Sequence, residues 1–403
     1  MGKNDRLRDV KHLLHVAAYT KPEIDRILDK KHPAFIEFDP VLGYLLRDYI
    51  FRDGMDGTLN SYVYEPHGGH RKMVNFAGRP CRINTYGDSY TQCAQVASGE
   101  TWQEILAAHF NEPIRNFGVG GYGVYQAYRR AMRTEAIKNL AAPYLVLNIW
   151  DDDHMRNIDA ARWIRVGWMI RDIPRGKKDS YPVHGFPWAH VRYDLTKGDF
   201  VELPGLCRNA EELRWLVGKD NYYNAFKDDH VAALYTLREG GEAPVEFLEQ
   251  LAEAFGLKVN LRNRKTRAAD ARRLHYAYGV RSSMFICTKL RSWCEKNHRR
   301  LMVLLSYDVP TVRGYIQRGE RFDAEIVPFL KQNRFTYVDT LPKLSEEYEN
   351  WRMSLDAFLN RLHVGRAGAQ VFGHYNPYGN FWFAQAIRKE LADWLDPKPF
   401  PYR

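Results

Sequence analysis

Three features of this sequence have residue types that could do chemistry together: a serine in a Gly-Asp-Ser turn, a run of aspartates, and a histidine ahead of the last helix. "YGDSYTQ" (86–92) follows an apolar, β-prone run, so Ser89 stands at a strand-to-helix junction. There a hydroxyl is exposed and its own N–H can face a developing oxyanion, the arrangement that nucleophilic acyl transfer needs. Turns of this composition also occur with no chemistry attached. "NFGVGGYG" (116–123) has glycines that let the backbone approach a ligand. Its G-x-G pattern follows the second strand rather than the first and lacks a phosphate-loop lysine, which argues against a nucleotide. "DDDH" (151–154) either serves a ligand or caps the next helix, and "GHYNPYGNFWFAQAI" (373–387) sets His374 just before a turn and a helix.

The elements that must position these residues alternate. A strand over 82–86, a helix over 101–110, a short strand over 114–117, a helix over 124–138 and a strand over 144–149 read as βαβαβ. That rhythm predicts a parallel sheet with helices on both faces. Thr101 and Glu104 have the spacing of a capping box. The rhythm breaks over 156–295, where "VRYDLTKGDFVEL" (191–203) reads as a hairpin about Lys197-Gly198, and resumes with strands at 300–308 and 335–340, a helix at 321–332 and a last helix from Asn380 to about Leu395. Ligands of open parallel sheets bind beyond the carboxyl ends of the strands, so Ser89, Gly118–Gly123 and Asp151–Asp153 are expected on one edge. Ahead of this domain, residues 5–30 read as helix, with Thr20 as a second N-cap, and 31–78 as loops and short strands. The organisation expected is therefore an N-terminal extension (1–79), the first half of an α/β domain (80–155), an insertion or lid (156–295) packing over the crevice, and the second half of the domain (296–403).

The net charge of +10 invites an anionic partner. The densest basic stretch, "RNRKTRAADARR" (262–273), has no aromatic residue to stack on a base, so a solvated helix face is expected and nucleic acid is not. Five scattered cysteines suggest neither a disulfide framework nor a zinc site. Asp151, Asp153, His154, His67 and His70 lack a recognised ligand spacing, so no metal or other cofactor is implied. With no signal-peptide core and no apolar run of about 18 residues, the expected location is cytoplasmic, with no membrane partner.

Order and spacing together resemble the SGNH/GDSL hydrolase family over residues 80–155 and 296–395. "YGDSYT" is similar to the family's first block and "NFGVGGYG" to its second, while "HYNPYGNFWFA" resembles the last block as found in relatives that act on polysaccharides. The resemblance implies a three-layer α/β/α sandwich with a flavodoxin-like parallel sheet, Ser89 as nucleophile, His374 as base, and the N–H groups of Ser89 and Gly121 as oxyanion donors. Two positions depart from the pattern. Asp152 stands where the family has an asparagine donor, with Trp150 and Asp151 over the preceding positions and Asp153 over the family's aspartate. An ionised carboxylate only accepts hydrogen bonds, so Asp152 must be protonated, turned away or employed otherwise. Val371 stands three before His374 in place of the acid that orients the imidazole, which leaves Asp356, Asp151 or Asp153 as candidates for that task.

The function expected is removal of an acyl group, acetyl above all, from a carbohydrate, neutral or anionic. Asp88, Trp150, Asp151, Asp153 and Trp188 are candidate substrate-binding residues, and Trp163, Trp168, Tyr181, Arg162 and Arg165 of the insertion suit a sugar in the same way. The alternatives are a glycoside hydrolase using Asp152 and another carboxylate, a sugar O-acyltransferase using the same serine, and a carbohydrate-binding protein without turnover.

Overall fold

The computed structural model describes residues 7–66, 69–170, 185–365 and 373–403. The chain forms two compact units, one of residues 1–45 with 155–283 and one of 46–154 with 284–403.

The second unit is built on five strands: β1 (Ile83–Tyr86), β2 (Arg115–Asn116), β3 (Tyr144–Trp150), β4 (Arg300–Ser306) and β5 (Thr336–Asp339). They pair in the order β5-β4-β3-β1-β2, and every pairing is parallel. Seven consecutive residues of β3 are buried and pair along their whole length with β4, from Tyr144 opposite Arg300 to Trp150 opposite Ser306. An unbroken apolar run is what a strand covered on both faces requires. The order is that of flavodoxin-like sheets: the chain leaves β1 for the edge at β2 and then crosses to β3, so right-handed crossovers put helices on opposite faces. The result is the expected α/β/α sandwich, with the switch point at the carboxyl ends of β1 and β3.

Five helices frame the carboxyl edge of this sheet or carry residues toward it: α1 (Ser89–Gln92), α2 (Trp102–Phe110), α3 (Val124–Glu135), α4 (Val309–Arg318) and α5 (Pro377–Trp394). Thr101 caps α2 by accepting from Glu104 N. The Glu104 carboxylate does not complete the capping box; it accepts from Val74 N (3.0 Å) and Asn75 N (2.7 Å) and so ties the 74–75 segment to α2. Strand β2 has two residues where four were expected, because the chain turns at once into the glycine loop.

The first unit shows that the N-terminal extension does not end at residue 79. The helix Val10–Ala17 buries Val10, Leu13, Leu14 and Ala17 and packs on the helices Trp163–Met169, Lys219–Phe226 and His230–Arg238. The first 45 residues thus share a core with the insertion, while 46–79 fold with the sheet. The expected hairpin forms from His190–Asp194 and Asp199–Leu203, with Gly198 at φ +65° in its turn. Among the described residues, no helix is long and apolar enough to cross a membrane.

Candidate functional site

The Gly-Asp-Ser turn is shaped by close backbone approach. A Cβ on Gly87 would lie 2.2 Å from Thr91 Oγ1 and 2.6 Å from the carbonyl oxygen of Asn148 on β3, so only glycine lets β1 run straight into α1. Asp88 is the N-cap, accepting from Tyr90 N at 2.8 Å, and Ser89 Oγ donates to the same carboxylate at 3.2 Å. Asp88 therefore holds the turn, a structural part in place of the substrate contact expected of it. Helix α2 clamps α1 from outside: Trp102 Nε1 donates to the Tyr90 carbonyl and Gln103 Nε2 to that of Thr91.

The glycine loop reaches Ser89 directly. Val119 N donates to Gly87 O, and Tyr122 N closes a turn on Val119 O in which Gly121 has φ +87°. This is the third position of a type II turn, where glycine is needed. Gly120 N donates to Gln92 Oε1 at 2.7 Å, and a Cβ on Gly120 would stand 3.6 Å from Ser89 Cβ. Gly118 is packed harder still, since a Cβ there would fall 2.1 Å from Gln92 N. The side-chain amide of Gln92 also donates to the hydroxyls of Tyr49 and Tyr64.

The three aspartates part company. Asp153 Oδ2 accepts from Trp150 N at 2.9 Å and caps the turn after β3. Asp151 is buried; Thr311 Oγ1 donates to it, and it is hydrogen-bonded to the carboxyl of Asp308. Burial, and then the neighbouring Asp308, push Asp151 well above the ordinary carboxyl range. Asp308 also rises, through burial, but it accepts from Thr311 N as the N-cap of α4. Two carboxyls in contact cannot both ionise cheaply, so Asp151 holds the shared proton. Asp152 is half-buried in the same turn, close enough to Asp308 to raise it further. Trp150 stacks on Tyr90 with ring centroids 5.1 Å apart and is buried, which makes it packing rather than an open sugar platform.

His374 arrives from the other half of the unit. An antiparallel bridge joins His363 and Tyr375, Val364 N donates to His374 O at 2.8 Å, and Asn376 caps α5 by accepting from Gly379 N. The His374 ring lies 5.3 Å from the ring of Tyr90, the residue after Ser89. Its orientation comes from an amide. Both His374 N and His374 Nδ1 lie within reach of Gln95 Oε1, at 2.8 and 2.9 Å. A backbone N–H can only donate, so that atom is the amide oxygen, and Nδ1 must carry the second proton. Nε2 of the neutral ring then bears the lone pair.

The acids considered for this task have partners elsewhere. Asp356 is exposed and paired with Arg313 at 2.6 Å, Asp151 is engaged with Thr311 and Asp308, and Asp153 with Trp150 N. Val371 lies outside the described residues, as do His67 and Tyr181. Trp188 sits in the core of the first unit, 1% exposed, with its Nε1 donating to Asp159 O and its ring against Gly43. Trp163 and Trp168 are also buried, and Arg165 forms a buried ion pair with Asp159 at 2.6 Å. The tryptophans expected to face sugar therefore pack the core. His154 is buried and pushed down to about 4 by desolvation, and His70 Nδ1 bonds the Arg71 carbonyl. Among the described residues, no group of three or more His, Cys, Asp or Glu is placed to hold a metal ion. Gln95, Asp308 and Thr311 were not foreseen. The only hint in the sequence was the missing acid before His374.

The fold and site together define a three-layer α/β sandwich with Ser89, the glycine loop and the aspartate turn after the ends of β1, β2 and β3. No family model matches the sequence, and no curated protein does. Among solved structures, this chain is similar to one from Desulfitobacterium hafniense DCB-2 described as a "putative lipolytic protein of G-D-S-L family". The TM-score is 0.33 and the identity 10%, over 77% of this chain and 98% of that one.

Proposed function

We propose that the protein is a serine hydrolase of SGNH type that cleaves an acyl ester. Ser89 attacks the carbonyl carbon, His374 Nε2 takes the hydroxyl proton and returns it to the leaving oxygen, and the N–H groups of Ser89 and Gly121 hold the oxyanion. One observation supports the reading: the glycine loop lies against the Cβ of Ser89 and the His374 ring against Tyr90, the next residue in the chain. The finer proposal, an acetylated carbohydrate as substrate, keeps the basic net charge as its support and loses the buried tryptophans. A glycosidase needs two acids facing each other across roughly 5–10 Å of substrate. In that reading Asp152 is one of the two, and replacing it separates the readings.

The test is turnover of p-nitrophenyl acetate, acetylated oligosaccharides and p-nitrophenyl glycosides. Ester cleavage should fall at least about 10³-fold in Ser89→Ala and in His374→Ala. Asp152→Asn, which puts a donor at the expected asparagine position, should keep or increase it. Glycoside cleavage that ignores Ser89→Ala but drops about 10²-fold or more in Asp152→Asn would reverse the assignment.

A further inference from the structure

We infer that Gln95 is the positioning residue of this site: its amide oxygen does for His374 what a carboxylate does in a Ser-His-acid triad. The inference rests on the Ser89–His374 reading. Which imidazole nitrogen is protonated is set by what the other one meets, and a base needs its bare nitrogen on the nucleophile's side. Here the oxygen that receives Nδ1–H also receives the backbone N–H of His374, so the amide cannot rotate to present its NH2 without losing both bonds. The neutral partner is thereby locked in the orientation that keeps the proton on Nδ1 and leaves Nε2 bare. In the reaction the Ser89 proton moves to Nε2 as the serine oxygen bonds the acyl carbon. The imidazolium so formed keeps its Nδ1–H on Gln95 and gives its Nε2 proton to the alcohol oxygen as the ester C–O bond breaks; a water molecule, deprotonated by Nε2 in turn, then attacks the acyl-serine, and the proton returns to Ser89 Oγ as the acid leaves.

The neighbourhood of Gln95 is built to hold that oxygen still. Its backbone sits in the left-handed region, φ +70°, two residues after Cys93 at φ +59°, a conformation side-chain-bearing residues adopt rarely. Arg71, fully buried, spans this segment, donating to the carbonyls of Gln92 (2.8 Å) and Cys93 (2.7 Å) before Gln95 and of Val96 (2.5 Å) after it. Gln95 N donates to Tyr62 OH at 2.6 Å, and that hydroxyl donates to Asp53 Oδ2 at 2.8 Å. Tyr62 is itself fixed between the stacked ring of Tyr49, 4.2 Å away, and the guanidinium of Arg71 at 4.8 Å. A strained backbone held from both sides around one side chain fits a residue whose placement matters to function.

The experiment is a long-range ¹H–¹⁵N correlation spectrum of the His374 ring, taken above its titration, with kcat and KM for the same samples. Wild type should show Nδ1 protonated and Nε2 bare. Gln95→Met, which keeps the length and removes the acceptor, should lose that tautomer and lower kcat on the order of 10²-fold with KM little changed. Gln95→Glu, which keeps an acceptor in place, should retain the tautomer and recover at least about tenfold in kcat over the Met variant. An Nε2-protonated ring in wild type overturns the inference, as does a Met variant with unchanged tautomer and kcat. If the Met variant does not fold, loss of the tautomer in Gln95→Glu overturns it alone. Should Ser89→Ala turn over as fast as wild type while the tautomer behaves as stated, the hydrolase reading fails and the orientation of His374 by Gln95 stands.

Discussion

At the scale of single residues, Asp151 makes a prediction that does not depend on any substrate. Its carboxyl is raised in the folded state by burial and by Asp308, so folding favours the protonated form. A group raised in this way contributes stability that is fully present below its unfolded value, near 3.8, and lost as pH rises through the folded one. Asp151→Asn cannot ionise; its amide oxygen can still accept from Thr311 and its NH2 can donate to Asp308. Melting temperatures measured from pH 4 upward should therefore fall with pH less steeply in the variant, which should be the more stable protein at pH 8. A variant that loses stability faster than wild type as pH rises would show that Asp151 is ionised in the fold. At this scale the sequence singles out Ser89, Gly121 and His374 as candidates, because their motifs have fixed order and spacing. It hid Gln95, since a glutamine six residues past the serine has no spacing signature and meets His374 only across 279 residues of chain.

At the scale of elements, the long strands were readable because β3 and β4 are buried nearly throughout and therefore nearly all apolar. Helix starts were readable where a cap is local, as at Thr101. Two features were not: the two-residue β2, too short to show a pattern, and the use of Glu104 on Val74 and Asn75, which is a long-range contact. The glycine loop offers the sharpest test of element packing. A methyl group on Gly118 would fall 2.1 Å from the nitrogen of Gln92 and 2.5 Å from the carbonyl carbon of Thr91, both backbone atoms that cannot swing aside. Gly118→Ala should destabilise the protein by about 1–3 kcal/mol in urea unfolding, the usual scale of overpacking, and should disturb α1 and Ser89 with it. Unchanged stability would mean that the loop does not lie against α1.

At the scale of the whole molecule, the division of the chain is what sequence reasoning read least well. The N-terminal 45 residues belong with residues 155–283, and no local pattern announces a pairing between segments so far apart. The basic run was read correctly as a surface: Arg262 pairs with Glu249 and Glu246, Arg264 with Glu242, and Arg273 with Asp270. Trp188 joins the two segments of the first unit, its ring 3.0 Å from where a Cβ on Gly43 would be. Trp188→Ala should cost about 3–5 kcal/mol of stability, the range for truncating a buried aromatic, while leaving KM for an ester substrate unchanged in the folded fraction. A raised KM with intact stability would return Trp188 to the substrate wall.

The central claim is that Ser89 is a nucleophile activated by His374, and covalent capture tests it most directly. The wild-type protein treated with a fluorophosphonate should gain one phosphonyl group, located at Ser89 by peptide mass spectrometry. The gain should be absent in Ser89→Ala and slowed at least about 10²-fold in His374→Ala, the scale of a lost general base. Labelling that survives in Ser89→Ala, or a wild-type protein that stays unmodified while folded, would contradict the account.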